Sequence, residues 1–173
     1  MILNKFKIQI ILFFIFMSLF SISLQIGTMS QVSDEEANSF VQDYLSQKKQ
    51  IDGTEIFLKN TTVLLPMFVP GFGIAWGLYS AWSTGFGYAA LVSMAPGLAN
   101  IAPLSILFQT PYGIMEIIAY SMGLSCSANL VFLLIKKVNP KVWIKPIVVQ
   151  IGIALALLLG GGFVEEYFIK LGQ

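Results

Sequence analysis

The sequence predicts an all-α integral membrane protein: a bundle of about five transmembrane helices with one external amphipathic helix. Three observations carry that expectation. Of 173 residues, 56% are hydrophobic and only 11% charged, where a soluble domain carries about 25% charged residues. Two long runs, residues 8–33 and 60–115, contain no charge at all. The charges that exist are gathered into short segments, with Asp34, Glu35, Glu36, Asp43, Asp52 and Glu55 all between the first two apolar stretches.

The first helix is read over residues 8–26, long enough to cross a hydrocarbon layer that needs roughly 20 apolar residues. A cleaved signal peptide is the alternative, because Lys5 and Lys7 precede the run and Ser21-Ile22-Ser23 offers small residues to a peptidase. The apolar run continues past that site, which favours a retained anchor over residues 1–26. Residues 27–55 then form the external segment. Ser33-Asp34-Glu35-Glu36 reads as a capping box, and Ala37, Phe40, Val41, Tyr44, Leu45 and Ile51 recur at helical spacing as one apolar face, with Gly53 as its stop. Phe40, Val41 and Tyr44 are the candidate docking residues for a partner; packing on the protein's own helices or on the membrane surface is the competing reading.

A four-helix membrane core is expected over residues 56–173. Pro66, Pro70, Gly71 and Gly73 interrupt its first uncharged run, giving a short second helix near residues 56–69 and a third near 72–95. Such a break is tolerated at membrane depth only where protein or water satisfies the freed backbone groups. After a connection over residues 96–109, the fourth helix starts with Thr110 as N-cap and Pro111 in its first turn and runs to Ile135. The fifth is expected from Pro146 to Phe168. Lys5 and Lys7 at one end, and Lys136, Lys137, Lys141 and Lys145 between the fourth and fifth helices, put both places in the cytoplasm by the positive-inside rule. Five crossings then leave the N-terminus cytoplasmic and the C-terminus external in the cell membrane. A re-entrant pair in place of the second and third helices would leave those sides unchanged.

Along the third helix Gly73, Gly77, Ala81, Gly85, Ala89, Ser93 and Gly97 are four apart and small. In lipid, helices associate through close van der Waals contact, so this ladder marks a packing face. Gly152, Ala156 and Gly160 repeat the spacing in the fifth helix, which suggests pairing of the two within the chain, or else a homo-oligomer. The same glycines do not make a dinucleotide loop, since no strand precedes them and no acid follows before Glu116.

Glu116 is the one charge inside the fourth helix, roughly 8 Å past Pro111 at 1.5 Å per residue, and an intramembrane carboxylate is a functional candidate by default. Tyr112, Glu116, Tyr120, Gly123 and Ser127 share its side of the helix. The expected topology gathers Lys59, Asn60, Glu116, Glu165 and Glu166 at the outer side as a candidate polar cluster. Either Lys59 makes a structural ion pair there, or Glu116, Glu165 and Asn60 build a proton or divalent-cation site. Carboxylates at a helix C-terminus oppose the macrodipole, so Glu165 and Glu166 call for a local reason.

Composition removes most catalytic chemistry. With no His there is no Ser/His or Cys/His pair and no His metal ligand. The single Cys126 cannot make an internal disulfide, and no Asp falls within an expected span. No catalytic residue, metal or cofactor is expected, and a net charge of +1 carries no nucleic-acid signal.

Three stretches together resemble the stage II sporulation protein M family, small multi-spanning membrane proteins of bacteria and archaea. Phe57-Leu58-Lys59-Asn60 is similar to that family's aromatic-to-Asn opening of a core helix. Pro111-Tyr112-Gly113-Ile114-Met115-Glu116 is similar to its Pro-His-Gly-x-x-Glu element, with Tyr112 where His is usual. Gly162-Phe163-Val164-Glu165-Glu166-Tyr167-Phe168 is similar to its closing helix, which carries a Glu before an aromatic. The resemblance implies a non-enzymatic scaffold or accessory subunit of a membrane complex, with the lipid bilayer and other membrane proteins as partners. A small transporter or an ion or proton pathway using Glu116 is the alternative function.

Overall fold

The computed structural model of the chain describes residues 2–47 and 52–171. It is all-helical, 89% helix with no strand among the described residues. In chain order the helices are α1 (Ile2–Thr28), α2 (Asp34–Gln47), α3 (Gly53–Leu64), α4 (Phe72–Met94), α5 (Pro103–Gln109), α6 (Pro111–Ile135) and α7 (Pro140–Leu171). Short 3-10 turns at Leu65–Phe68 and Pro96–Asn100 follow α3 and α4.

Among the described residues three segments are long and apolar enough to cross a membrane: Lys7–Thr28, Pro111–Ile135 and Lys141–Leu171. The two other expected spans differ for distinct reasons. α3 has 12 residues, about 18 Å of helix, because Pro66 converts its continuation into the 3-10 turn. α4 has the length, at 23 residues, but its Gly, Ser, Thr, Tyr and Trp content lowers its apolarity.

Several boundaries fall elsewhere than the sequence pattern places them. The capping box is present: Ser33 N donates to Glu36 Oε2 at 3.0 Å and Glu36 N to Ser33 Oγ at 3.4 Å, and the Ser33 side-chain and backbone bonds hold the Glu36 carboxyl below its usual range. Gly53, however, opens α3 rather than stopping the amphipathic helix, because Asp52 takes the N-cap role and accepts from Glu55 N at 2.8 Å. Ile51, expected on the amphipathic face, lies outside the described residues. α7 begins at Pro140, not Pro146: Pro140 occupies the first helical position, Asn139 Oδ1 accepts from Lys141 N at 3.0 Å, and the helix carries Pro146 inside it at the loss of one i→i−4 bond.

α6 is the central helix. Its segment Ser121, Gly123, Ser125, Cys126, Ser127 and Ala128 is buried all round, because small side chains let neighbours close in from several directions. α1, α3, α4, α5 and α7 all pack on it. α1 runs antiparallel to α6, with Phe20 stacked on Tyr120 at 5.4 Å, while α7 returns antiparallel and sets Gly160 and Gly161 against Met115. The apolar core gathers Phe16, Phe20, Leu24, Leu64, Met67 and Leu124 around this axis.

The most extensive helix contact joins α1 to α4, side by side in the same direction. A Cβ on Gly85 would stand 2.0 Å from Leu24 O, and one on Gly27 would stand 2.1 Å from Trp82 O, so the two backbones touch. Ser23 Oγ adds a bond to Leu78 O at 2.7 Å. The glycine ladder of α4 therefore finds α1, together with Met67 beside Gly73 and Leu124 beside Gly77; this corrects the expected pairing with the fifth helix, whose Gly152 faces open space. α2 folds back onto α4, with Ala37 buried and Phe40 against Gly87. The described part of the apolar face of α2 thus packs on α4, the competing reading of that face, with Phe40 and Val41 half-buried; the side chain of Tyr44 lies outside those described.

α3 and α4 form a hairpin. α3 descends alongside α6 and α4 climbs back beside α1, and the turn at Gly71 has a backbone φ of 74°, left-handed territory that favours glycine. Ser127 of α6 holds that turn, donating to Val69 O at 2.7 Å and accepting from Gly71 N at 3.0 Å. Trp76 Nε1 donates to Val63 O at 3.0 Å. The requirement that a break satisfy its freed backbone groups is met by side chains of the bundle.

The backbone contact at Gly85 gives a direct test. Gly85→Leu forces α1 and α4 apart and lowers stability in detergent by about 1–3 kcal/mol, the usual cost of overpacking. Gly152→Leu, at a position with no neighbour within 4 Å, leaves the melting temperature unchanged or raised.

Candidate functional site

The candidate polar cluster lies where α3, α6 and α7 meet. α6 supplies Glu116 one turn below its capped start, where Thr110 Oγ1 accepts from Gly113 N at 3.1 Å. α3 supplies Asn60, whose Nδ2 donates to Glu116 Oε1 at 2.7 Å, the short distance expected of a charge-assisted bond. Glu165 of α7 stands within electrostatic range of Glu116, and Lys59 stands within attractive range of Glu165. Tyr112, in the first turn of α6, packs its ring 6.1 Å from that of Phe168.

Glu166 belongs to a different arrangement. Its Oε2 accepts from Gly53 N at 2.9 Å and its Oε1 pairs with Lys170 Nζ at 2.5 Å. A carboxylate at the end of its own helix is unfavourable, yet here it faces the N-terminus of α3, where backbone N–H groups and the dipole welcome negative charge. α3 and α7 also touch through glycine: a Cβ on Gly162 would stand 2.6 Å from Gly53 O. Four of the five expected cluster residues thus come together, and the fifth pins the start of α3.

A second polar junction carries no charge, and the pattern of charged residues gives no sign of it. Gln9 Nε2 of α1 donates to Ser125 Oγ of α6 at 3.3 Å and to Gln150 Oε1 of α7 at 3.3 Å. The signal available in the sequence is an amide inside each of two apolar runs, a costly placement in lipid unless partnered. Thr61 Oγ1 and Ser121 Oγ are buried without a hydrogen-bond partner among the described residues. Cys126 is a buried free thiol. Among the described residues no group of three or more His, Cys, Asp or Glu is placed to hold a metal ion.

No family model, curated protein or solved structure matches the chain.

The geometry at Asn60 predicts an asymmetric double-mutant cycle. Asn60→Leu leaves the Glu116 carboxylate without its donor and lowers stability in detergent by about 1–3 kcal/mol. The same substitution costs much less in a Glu116→Leu background; equal costs in both backgrounds would show that the bond contributes nothing.

Proposed function

We propose that the chain is a non-enzymatic integral membrane protein that acts as a scaffold or accessory subunit of a membrane complex. The observation that carries this reading is the use made of its polar side chains. Ser23, Asn60, Trp76, Ser127 and the Gln9–Ser125–Gln150 junction each tie one element to another, so polarity in the bundle serves assembly. Broad apolar faces remain on the outside: Ile11 and Ile22 of α1 and Val148, Val149 and Ile153 of α7 are exposed and available to lipid and to neighbouring membrane proteins.

The resemblance to the stage II sporulation protein M family supports the same reading. Its three stretches are far apart in sequence, yet Asn60 bonds Glu116, Gly162 abuts Gly53 and Phe57, and Tyr112, where the family has His, packs on Phe168. Purification of the full chain in mild detergent tests the role: a stoichiometric membrane-protein neighbour is expected, and a chain that elutes alone after in-cell cross-linking would count against a complex subunit.

The topology we infer has the N-terminus cytoplasmic, α2 and the C-terminus external, and α3–α4 as a re-entrant hairpin between α1 and α6. Support comes from Ser127, which holds the hairpin turn about 12 Å short of the end of α6 at 1.5 Å per residue, and from the absence of charge between Asn60 and Met115. Cysteine labelling in a Cys126→Ser background checks it. Lys137→Cys is expected to react with an impermeant maleimide from the cytoplasmic side only, and Val69→Cys from neither side. Equal cytoplasmic labelling of both would replace the hairpin by two full spans.

A further inference from the structure

Six of the ten lysines belong to one end of the bundle: Lys5 and Lys7 open α1, Lys136 and Lys137 follow α6, and Lys141 and Lys145 lie in the first turns of α7. No Asp or Glu occurs in residues 1–33 or 117–164, so the segments that build this end supply no counter-charge. The Gln9 side chain sets the register by bonding Ser125 of α6 and Gln150 of α7. Lys7 precedes Gln9 and Lys145 precedes Gln150 by about 3 and 7.5 Å along their helices at 1.5 Å per residue. Both lysines therefore fall on the same side of that junction. The connection that carries the other charges is fixed by its own bonds. Lys137 has a backbone φ of 51°, a left-handed position at a helix end where glycine is usual. Val138 N donates to Leu133 O at 3.0 Å, Lys141 N to Asn139 Oδ1 at 3.0 Å, and Trp143 Nε1 to Val138 O at 3.2 Å. Lys7, Lys136, Lys137, Lys141 and Lys145 are all exposed on this frame.

We propose that this end of the bundle is a docking surface for anionic phospholipid, with the lipid phosphate held by Lys137, Lys141 and Lys145 and an acyl chain lying along α7. Charge complementarity selects the headgroup, since clustered lysines beside a membrane-crossing helix attract anionic lipid. The apolar surface next to them selects the rest. Ile144, Val148 and Val149 are 50%, 62% and 53% exposed, and Lys145 stands one helical turn before Val149 on the same face of α7. The surface thus asks for one molecule that is anionic at its head and apolar beyond it. A soluble anion meets only the first demand and a neutral lipid only the second. The inference is independent of the scaffold reading, because it requires only that α1, α6 and α7 cross the bilayer and its test involves lipid alone.

The test is thermal unfolding of the full chain in mild detergent at fixed pH and ionic strength, with phosphatidylglycerol or phosphatidylcholine of the same acyl chains added stepwise to the micelles. Phosphatidylglycerol raises the melting temperature and the rise saturates, as linkage requires of a ligand bound only by the folded state; phosphatidylcholine gives no such rise. In the double variant Lys141→Gln, Lys145→Gln the half-saturating phosphatidylglycerol fraction increases about fivefold for each lysine removed, the factor that corresponds to about 1 kcal/mol per lysine at an anionic surface. Lys137→Gly relieves the left-handed backbone, so it raises the melting temperature without lipid while increasing the half-saturating fraction about fivefold; it serves if the double variant does not fold. Equal stabilisation by the two lipids overturns the proposal. So does a phosphatidylglycerol effect unchanged in both variants, or an equal effect of inorganic phosphate without lipid, the mark of a site for a free anion.

Discussion

Between apolar helices in lipid there is no hydrophobic drive toward contact, so the helices must meet closely enough for dispersion and backbone contacts to hold them. The chain meets that constraint with glycine at two crossings. Gly27 and Gly85 bring α1 and α4 into backbone contact, and Gly53 and Gly162 do the same for α3 and α7. With those two pairs fixed, α3 is held against α7 and α4 against α1. α1, α3, α4, α5 and α7 then all pack on α6, whose segment of small residues from Ser121 to Ala128 is buried. The hairpin, the core and the polar junctions follow from these approaches.

Polar groups are placed where backbone geometry leaves something unsatisfied. Ser127 serves the break at Gly71, and Glu166 serves the open N–H of Gly53. The Glu166 case shows that a residue unfavourable by the rule of its own helix is favourable by the rule of the helix it touches. Asn60 and Glu116 form a short side-chain bond between α3 and α6, in a region that also holds Glu165 and Lys59. The carboxylates among α3, α6 and α7 thus lie toward one end of the bundle, the lysines from Lys136 to Lys145 lie at the other, and neutral amides and hydroxyls join the helices between.

Much of this was legible in the sequence, because local chemistry sets it. Thr110-Pro111 marks the start of α6, Ser33 and Glu36 mark the start of α2, and Pro66 with Gly71 marks the hairpin turn; each signal acts within a few residues. What failed was information held by partners. Gly53 looked like the end of a helix because a glycine stop and a glycine contact are alike in one dimension, and only Phe163 and Glu166 tell them apart. Spacing identified the ladder of α4 but could not select α1 over α7, since Gly152 and Ala156 offer the same repeat. Gln9 and Gln150 escaped notice because an amide carries no charge. Of the candidate cluster, Asn60, Glu116, Glu165 and Lys59 are legible because topology sets which polar groups share one end of the bundle; the separate duty of Glu166 depends on a contact spanning 113 positions.

The hairpin turn has a consequence for how the protein is made. Gly71 leaves the ribosome 56 residues before Ser127, the hydroxyl that receives its N–H. During that interval α1 and α4 can already meet, because Gly27 and Gly85 have both been synthesised, but the tip of the hairpin has no partner from the bundle. Synthesis from the N-terminus therefore yields a half-built unit whose broken helix is satisfied only when α6 arrives. A chain truncated before Ser127 carries that open turn permanently, which makes the arrival of α6 the step at which the nascent protein ceases to look unfinished to the quality-control machinery of its membrane.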